Sequence, residues 1–237
     1  MGDPAKWFDF PVRELTVDAV LSHQARVRPD KVYVRTTEGT ELTFAQVWRA
    51  TNRLVNWFAS IGLGHGSHVA VFMENEIECL MSHIAITRMG GVSVPINANS
   101  RGGILAHYLN FSDAAAVIAT ADFASRVLEI EDELTDLQSL IVVGEGAPDL
   151  NATRLCVLPF SASQVAPDTP VVSPARFSET AFILFTSGTT GPSKGVMFQQ
   201  ARAFMWDEGV VPAFGVSEDD VYFACTPLSH ATGLFSG

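Results

Sequence analysis

The sequence predicts an α/β protein built on mostly parallel, doubly wound sheets with helices on both faces. Three observations lead there. Short apolar runs of strand length alternate with segments whose apolar residues recur at helical spacing. The links between successive strands are long enough to hold a helix, which a parallel pair requires. Several of these runs, Val69–Met73, Ala115–Ala119, Leu140–Val143 and Ala181–Phe185, read as buried strands.

The elements follow in order. Thr16 can cap a helix that places Val17, Val20, Leu21 and Ala25 on one face and stops near Pro29. Val32–Arg35 and Glu41–Thr43 flank a Thr-Glu-Gly-Thr turn and read as a hairpin. Thr43 with Gln46 forms a capping box. The helix it opens carries Phe44, Val47, Leu54, Phe58 and Ile61 near one face, with Gly62 as a stop. Val69–Met73 reads as a buried strand. Asn75 with Glu78 suggests a second cap, opening a helix with Ile77, Leu80, Met81 and Ile84 inward. Gly90 and Gly91 end it, and Val92–Ile96 is the next strand. Ala115–Ala119 and Leu140–Val143 read as further strands, with helical segments at Gly103–Asn110 and Asp122–Leu134. Gly144–Ser178 is rich in Pro, Ser, Ala and Asp and reads as an irregular connection with one short strand at Thr153–Val157. Ala181–Phe185 is again a buried strand.

Composition narrows the function classes. The 237 residues are ample for a buried core without disulfides or metals. Fifteen Lys and Arg against 26 Asp and Glu give a net charge of −11, which lacks the footprint of a nucleic-acid binder. The acidic runs at Glu129–Asp136 and Glu218–Asp220 read as solvated surface. Cys79, Cys156 and Cys225 are scattered and odd in number, which points to a reducing, cytoplasmic setting. No apolar signal core opens the chain, and Ala114–Ala121 falls far short of the roughly 20 residues of a membrane helix.

The chemistry concentrates after Ala181–Phe185, in the string Thr186-Ser187-Gly188-Thr189-Thr190-Gly191-Pro192-Ser193-Lys194-Gly195. Glycines let several backbone N–H groups point into one concavity, which favours an anion. Hydroxyls add rotatable donors, and Lys194 adds a compact positive charge suited to phosphate. The spacing is not that of the common NTPase loop, because Ser193 rather than Gly precedes Lys194 and Gly195 rather than a hydroxyl follows it.

TSGTTGPSKG resembles the signature phosphate loop of the adenylate-forming, or AMP-binding, superfamily, which contains acyl-CoA synthetases, luciferases and peptide-synthetase adenylation domains. Arg88–Asn99 (RMGGVSVPINAN) resembles the family's upstream motif, and Pro227-Leu228-Ser229-His230 with Gly233 its downstream one. The resemblance extends from the first helix onward. Asn97, where peptide-synthetase domains more often carry Asp, and His230 favour the acyl-CoA synthetase branch.

The resemblance implies a reaction in two steps. A carboxylate attacks the α-phosphate of ATP, giving an acyl-adenylate and pyrophosphate, and the thiol of CoA then displaces AMP. Thr186, Ser187, Gly188, Thr189, Thr190, Gly191 and Lys194 would hold the phosphates, with Thr189 also a ligand of Mg²⁺. His230 would lie between the nucleotide and acyl sites; its other reading is a polar residue at a loop–helix junction. The remaining histidines, His23, His65, His68, His83 and His107, read as surface or core. Phe204, Trp206 and Phe214 read as core packing in preference to acyl-pocket lining.

Members of the family are much longer than this chain. Residues 1–237 are therefore expected to be a partial N-terminal AMP-binding domain, without the rest of that domain or the mobile C-terminal domain. Two functions stay open: a fragment of an ATP-dependent acyl-CoA ligase, or a catalytically inactive α/β module that at most binds nucleotide or a partner subunit. The low charged fraction of 17% suggests self-association through an incompletely covered surface.

Overall fold

The computed structural model describes residues 11–145, 153–186, 193–208, 213–217 and 219–235. Its centre is a seven-stranded sheet in the order β7-β6-β5-β3-β4-β8-β9. The strands are β3 (His68–Phe72), β4 (Val92–Pro95), β5 (Ala116–Thr120), β6 (Ser139–Val143), β7 (Cys156–Pro159), β8 (Thr180–Thr186) and β9 (Lys194–Gln199). All neighbours run parallel except β9, which pairs antiparallel with β8. A separate hairpin joins β1 (Val32–Arg35) and β2 (Glu41–Thr43).

The helices are α1 (Val17–Val27), α2 (Phe44–Ser60), α3 (Ile77–Arg88), α4 (Gly102–Phe111) and α5 (Ala121–Leu128). They divide between the two faces of the sheet. On one face, Leu21, Leu54, Phe58, Met81 and Ile84 of α1–α3 pack on Val69, Val71, Ile118 and Ile141. On the other, Leu105, Leu109, Phe123 and Val127 of α4 and α5 pack on Phe72, Val94, Val117 and Leu140. Alternate residues of one strand thus feed opposite cores, and β4 is buried along its whole length.

The local signals hold where the chain can satisfy them locally. Thr16 Oγ1 accepts the Ala19 N–H at the start of α1. The capping box of α2 is complete: Thr43 Oγ1 accepts from Gln46 N, and Gln46 Oε1 accepts from Thr43 N at 2.7 Å. Gly62 follows α2 with φ of 87°, a left-handed turn that a side chain would strain.

Other expectations change. Asn75 does not cap α3: the N-cap residue of that helix is Glu76, and it makes no side-chain capping hydrogen bond. The Asn75 amide is committed to a distant segment instead. The segment expected as one helix over Asp122–Leu134 is α5 followed by a 3-10 turn at Glu131–Glu133, where Glu131 Oε1 accepts from Thr153 Oγ1 and Arg154 N. The short strand expected at Thr153–Val157 lies at Cys156–Pro159, in register with β6. Phe214 is 79% exposed and packs in no core, whereas the side chain of Trp206 lies outside the described residues.

One buried charge ties α1, α2 and α3 together. The Arg88 side chain, at the end of α3, is 1% exposed. Its Nε donates to Asp18 Oδ1 at 2.8 Å, Nη1 to Thr51 Oγ1 at 2.6 Å and Nη2 to Asn52 Oδ1 at 2.7 Å. The guanidinium lies 3.7 Å from the centroid of the Trp48 ring. Burial pushes the Arg88 pKa down while the Asp18 carboxylate pulls it up, and a guanidinium keeps its proton under such opposition.

Candidate nucleotide-phosphate site

In open α/β sheets, ligands bind outside the carboxyl ends of the parallel strands. Here β3, β4 and β8 lie side by side, and each leads from its carboxyl end into a chemically distinctive segment. β3 leads to Glu74-Asn75-Glu76, β4 to Asn97–Arg101, and β8 to the hydroxyl- and glycine-rich string.

Ser187, Gly188, Thr189, Thr190 and Gly191 lie outside the described residues. The two stems of that string are described. Thr186 ends β8 and Lys194 begins β9, and they are register partners across the hairpin. The Thr186 hydroxyl donates to the Lys194 carbonyl at 3.4 Å, and both residues are exposed. The ladder thus delivers a hydroxyl and an ammonium group to one point at the carboxyl edge of the sheet. The sequence assigned no element to residues 194–199; β9 alternates only weakly in burial, and nothing local marks it as a strand.

Close approach of the strands fixes Gly195. A Cβ there would stand 2.8 Å from Cγ2 of Ile183 and 3.6 Å from Cε1 of Phe111. The ring of Phe111 belongs to α4, which packs against both stems. His107 Nε2 donates to the Ser193 carbonyl at 2.9 Å, and the hydroxyls of Tyr108 and Ser193 bond at 3.2 Å. The Tyr108 ring stacks on Phe185 with centroids 4.2 Å apart. His107 was expected as surface or core; it is neither alone, because its imidazole contacts the stem of the candidate loop.

His230 sits at the junction between Pro227–Ser229 and the short helix Ala231–Phe235, and it is exposed. Its Nδ1 accepts the Thr232 N–H at 3.2 Å, so the neutral ring carries its proton on Nε2. The junction is held from both sides. Asn75 Nδ2 donates to the Thr226 carbonyl at 2.9 Å, and Asn75 Oδ1 accepts from Leu228 N at 2.7 Å. A side chain at Gly233 would collide with the carbonyl oxygens of Pro227 and Thr226. Phe235 then anchors the helix against Phe182 and Phe198, at centroid distances of 5.4 and 5.1 Å. Asn75 and the β8 stem therefore place both chemical segments along one edge of the sheet.

Other polar groups are spent internally. His83 is fully buried, with Nδ1 2.7 Å from Ser93 Oγ and Nε2 3.5 Å from Cys79 Sγ. Burial holds its pKa down at about 3 and pushes the Cys79 thiol up to about 12, so the two form no thiolate–imidazolium pair at neutral pH. Among the described residues, no three His, Cys, Asp or Glu side chains converge to hold a metal ion. None of the helices is long and apolar enough to cross a membrane, again among the described residues. A hollow of about 80 Å³ between α1, α3 and the β1–β2 hairpin is lined by Leu21, Gln24, Tyr33, Phe44, Ile84 and Phe204, well away from the carboxyl edge.

Comparison with known proteins accords with this geometry. The family described as AMP-binding enzyme matches residues 21–237. The chain is 28% identical over 221 residues to the medium-chain fatty-acid–CoA ligase of Escherichia coli (strain K12), covering 90% of this chain and 38% of that enzyme. It is 30% identical over 192 residues to the crotonobetaine/carnitine–CoA ligase of Salmonella typhimurium (strain LT2), covering 80% of this chain and 37% of that one. The crystal structure of the anthranilate CoA ligase AuaEII in complex with anthranoyl-AMP superposes with a TM-score of 0.87 at 24% identity, covering 96% of this chain and 43% of that one. That likeness shows the fold. The chain thus spans little more than a third of the length of the curated relatives it matches.

Proposed function

Because the chain belongs to the AMP-binding enzyme family, we propose that it supplies the phosphate-binding part of an ATP-dependent acyl-CoA ligase. The observation that carries this reading is the pairing of Thr186 with Lys194 at the carboxyl end of β8. In the proposed reaction the substrate carboxylate attacks the α-phosphorus of ATP, the bond to the bridging oxygen breaks, and pyrophosphate leaves. The thiol of CoA then attacks the acyl carbon and AMP leaves. Negative charge builds on the departing pyrophosphate, and fixed donors aimed at it lower the barrier. Lys194 is assigned that task together with Ser187, Gly188, Thr189, Thr190, Gly191 and Thr186, whose hydroxyl would turn its proton from the Lys194 carbonyl to the phosphate.

Mg²⁺ is proposed to enter with the triphosphate, Thr189 giving it a hydroxyl. Among the described residues, no three His, Cys, Asp or Glu side chains converge on such an ion. His230 presents an Nε2–H donor, which suits a carboxylate or carbonyl oxygen of the acyl group. Residues 1–237 are read as a partial N-terminal AMP-binding domain acting in the cytoplasm.

A second reading stands beside it: a catalytically inactive α/β module that at most binds nucleotide or a partner subunit, and that self-associates. Both readings are tested by ATP–pyrophosphate exchange with a panel of carboxylic acids, alongside calorimetric titration of the 237-residue chain with pyrophosphate. Both expect pyrophosphate binding that weakens on the order of 10- to 100-fold in Lys194→Ala, from loss of one charge-assisted contact. Exchange separates them. Unchanged pyrophosphate affinity in Lys194→Ala would overturn the phosphate assignment.

A further inference from the structure

The stems of the β8–β9 connection are gripped by α4, a helix that the sequence connected to no chemistry. His107, Tyr108 and Phe111 point from its carboxyl-terminal turns toward both stems at once. Tyr108 stacks on Phe185, the residue before Thr186, and shares a hydrogen bond with Ser193, the residue before Lys194. His107 donates to the Ser193 carbonyl, and its ring lies 5.3 Å from that of Phe111. Helix α4 is itself immobilised. Leu105 and Leu109 are buried in the core, and Asn110 bonds Glu133 O through Nδ2 and Thr135 N through Oδ1.

We propose that His107 and Tyr108 are positioning residues that hold the Ser193–Lys194 stem in one place, and so set the affinity of this site for phosphoryl groups. The reasoning is geometric. Lys194 is exposed, and no ion pair to it is found among the described residues, so its direction depends on the backbone that carries it. On one side that backbone is fixed by the ladder to β8, which ends at Thr186. Among the described residues, the tethers immediately before Lys194 are the two bonds from α4 to Ser193. A long, flexible lysine binds phosphate as a point charge, and its contribution falls with misplacement. The proposal rests on the phosphate-binding reading above.

The test uses Tyr108→Phe, which keeps the stack and removes the hydroxyl, and His107→Phe, which keeps a ring and removes the donor. His107→Gln restores a donor near Nε2. Two measurements are made on the whole chain: site-resolved trypsin cleavage after Lys194 without ligand, followed by mass spectrometry, and calorimetric titration with pyrophosphate. Cleavage after Lys194 is expected to accelerate several-fold in the double variant Tyr108→Phe/His107→Phe. Pyrophosphate affinity should fall on the order of tenfold, the effect of about one hydrogen bond of positioning. His107→Gln should recover most of both changes while the urea midpoint of all variants stays near that of the parent. Unchanged cleavage overturns the anchoring. Faster cleavage with unchanged pyrophosphate affinity overturns the link to ligand. Faster cleavage in a chain that binds no pyrophosphate in any form overturns the phosphate reading itself, while the anchoring by α4 stands.

Discussion

Two cations, Arg88 and Lys194, mark two regions with opposite logic. Arg88 is buried, and each guanidinium nitrogen is matched to an oxygen of α1 or α2. Lys194 stands exposed at the end of a ladder, beside the Thr186 hydroxyl. In the first region polar groups consume one another, and the product is a fixed angle between three helices. In the second the backbone is fixed and the Lys194 ammonium is left for something else. Polarity that is satisfied internally builds the fold; polarity that is held in place and left over marks the site.

The largest effect should come from breaking the first region. Arg88→Met leaves Asp18, Thr51 and Asn52 without their partner in a closed setting. A loss of about 3–5 kcal/mol is expected from urea unfolding, since removing one member of a buried pair strands the other. A change below about 1 kcal/mol would show that the junction is no different from an exposed ion pair.

His83 sharpens the same side of the comparison through pH. Unfolded, its imidazole protonates near the ordinary value of 6.5; folded, it stays neutral down to about 3. Between these values the unfolded chain binds more protons, so stability is complete above pH 6.5 and declines as pH falls toward 3. The slope expected for this one group is at most about 1.4 kcal/mol per pH unit. His83→Gln should remove that component from urea midpoints compared at pH 7.5 and 5. An unaltered slope would mean that the burial of His83 is relieved on protonation.

Asn75 lies between the two regimes, because it fixes backbone near a candidate functional residue. Asn75→Ala removes two hydrogen bonds to the segment carrying His230, at an expected loss of about 1–2 kcal/mol. Its diagnostic is local: the amide of Leu228, bonded to Asn75 Oδ1, should exchange with solvent faster, while amides in β3 and β5 keep their relative order of protection. Uniform loss of protection would place Asn75 with the fold and not with the site. The smallest stability effect is expected for Lys194→Ala, within about 0.5 kcal/mol. That same variant should lose pyrophosphate binding. A large stability loss there would collapse the contrast with Arg88.

The parts legible in the sequence are those whose causes are local. The capping box of α2, the apolar runs of β3–β6 and the stop at Gly62 each depend on residues a few positions apart, and the structure reproduces them. The family was legible because the ten residues from Thr186 to Gly195 carry it together. What sequence alone missed acts at long range. Asn75 fits a capping pattern with Glu78, yet its amide serves backbone groups at Thr226 and Leu228. His107 and Tyr108 have partners at Ser193, and no spacing on α4 announces them. Strand β9 escaped because an edge strand with one solvated face carries a weak pattern. For residues 187–191, the reading from sequence lies outside the described residues.

The antiparallel turn of β9 also bears on how the sheet is assembled. Strands β3, β4, β5 and β6 are complete by Val143, whereas β8, which lies against β4, begins only at Thr180. A ribosome adding about 5–20 residues per second leaves β4 with a bare edge for a time on the order of seconds. The hairpin of β8 and β9 is local and can close in microseconds once both strands have emerged. It is therefore expected to dock as a preformed pair, offering β4 a strand whose other edge is already occupied. The nascent chain's vulnerable interval thus ends in a single docking event, after Thr186 and Lys194 have already met in the closed hairpin.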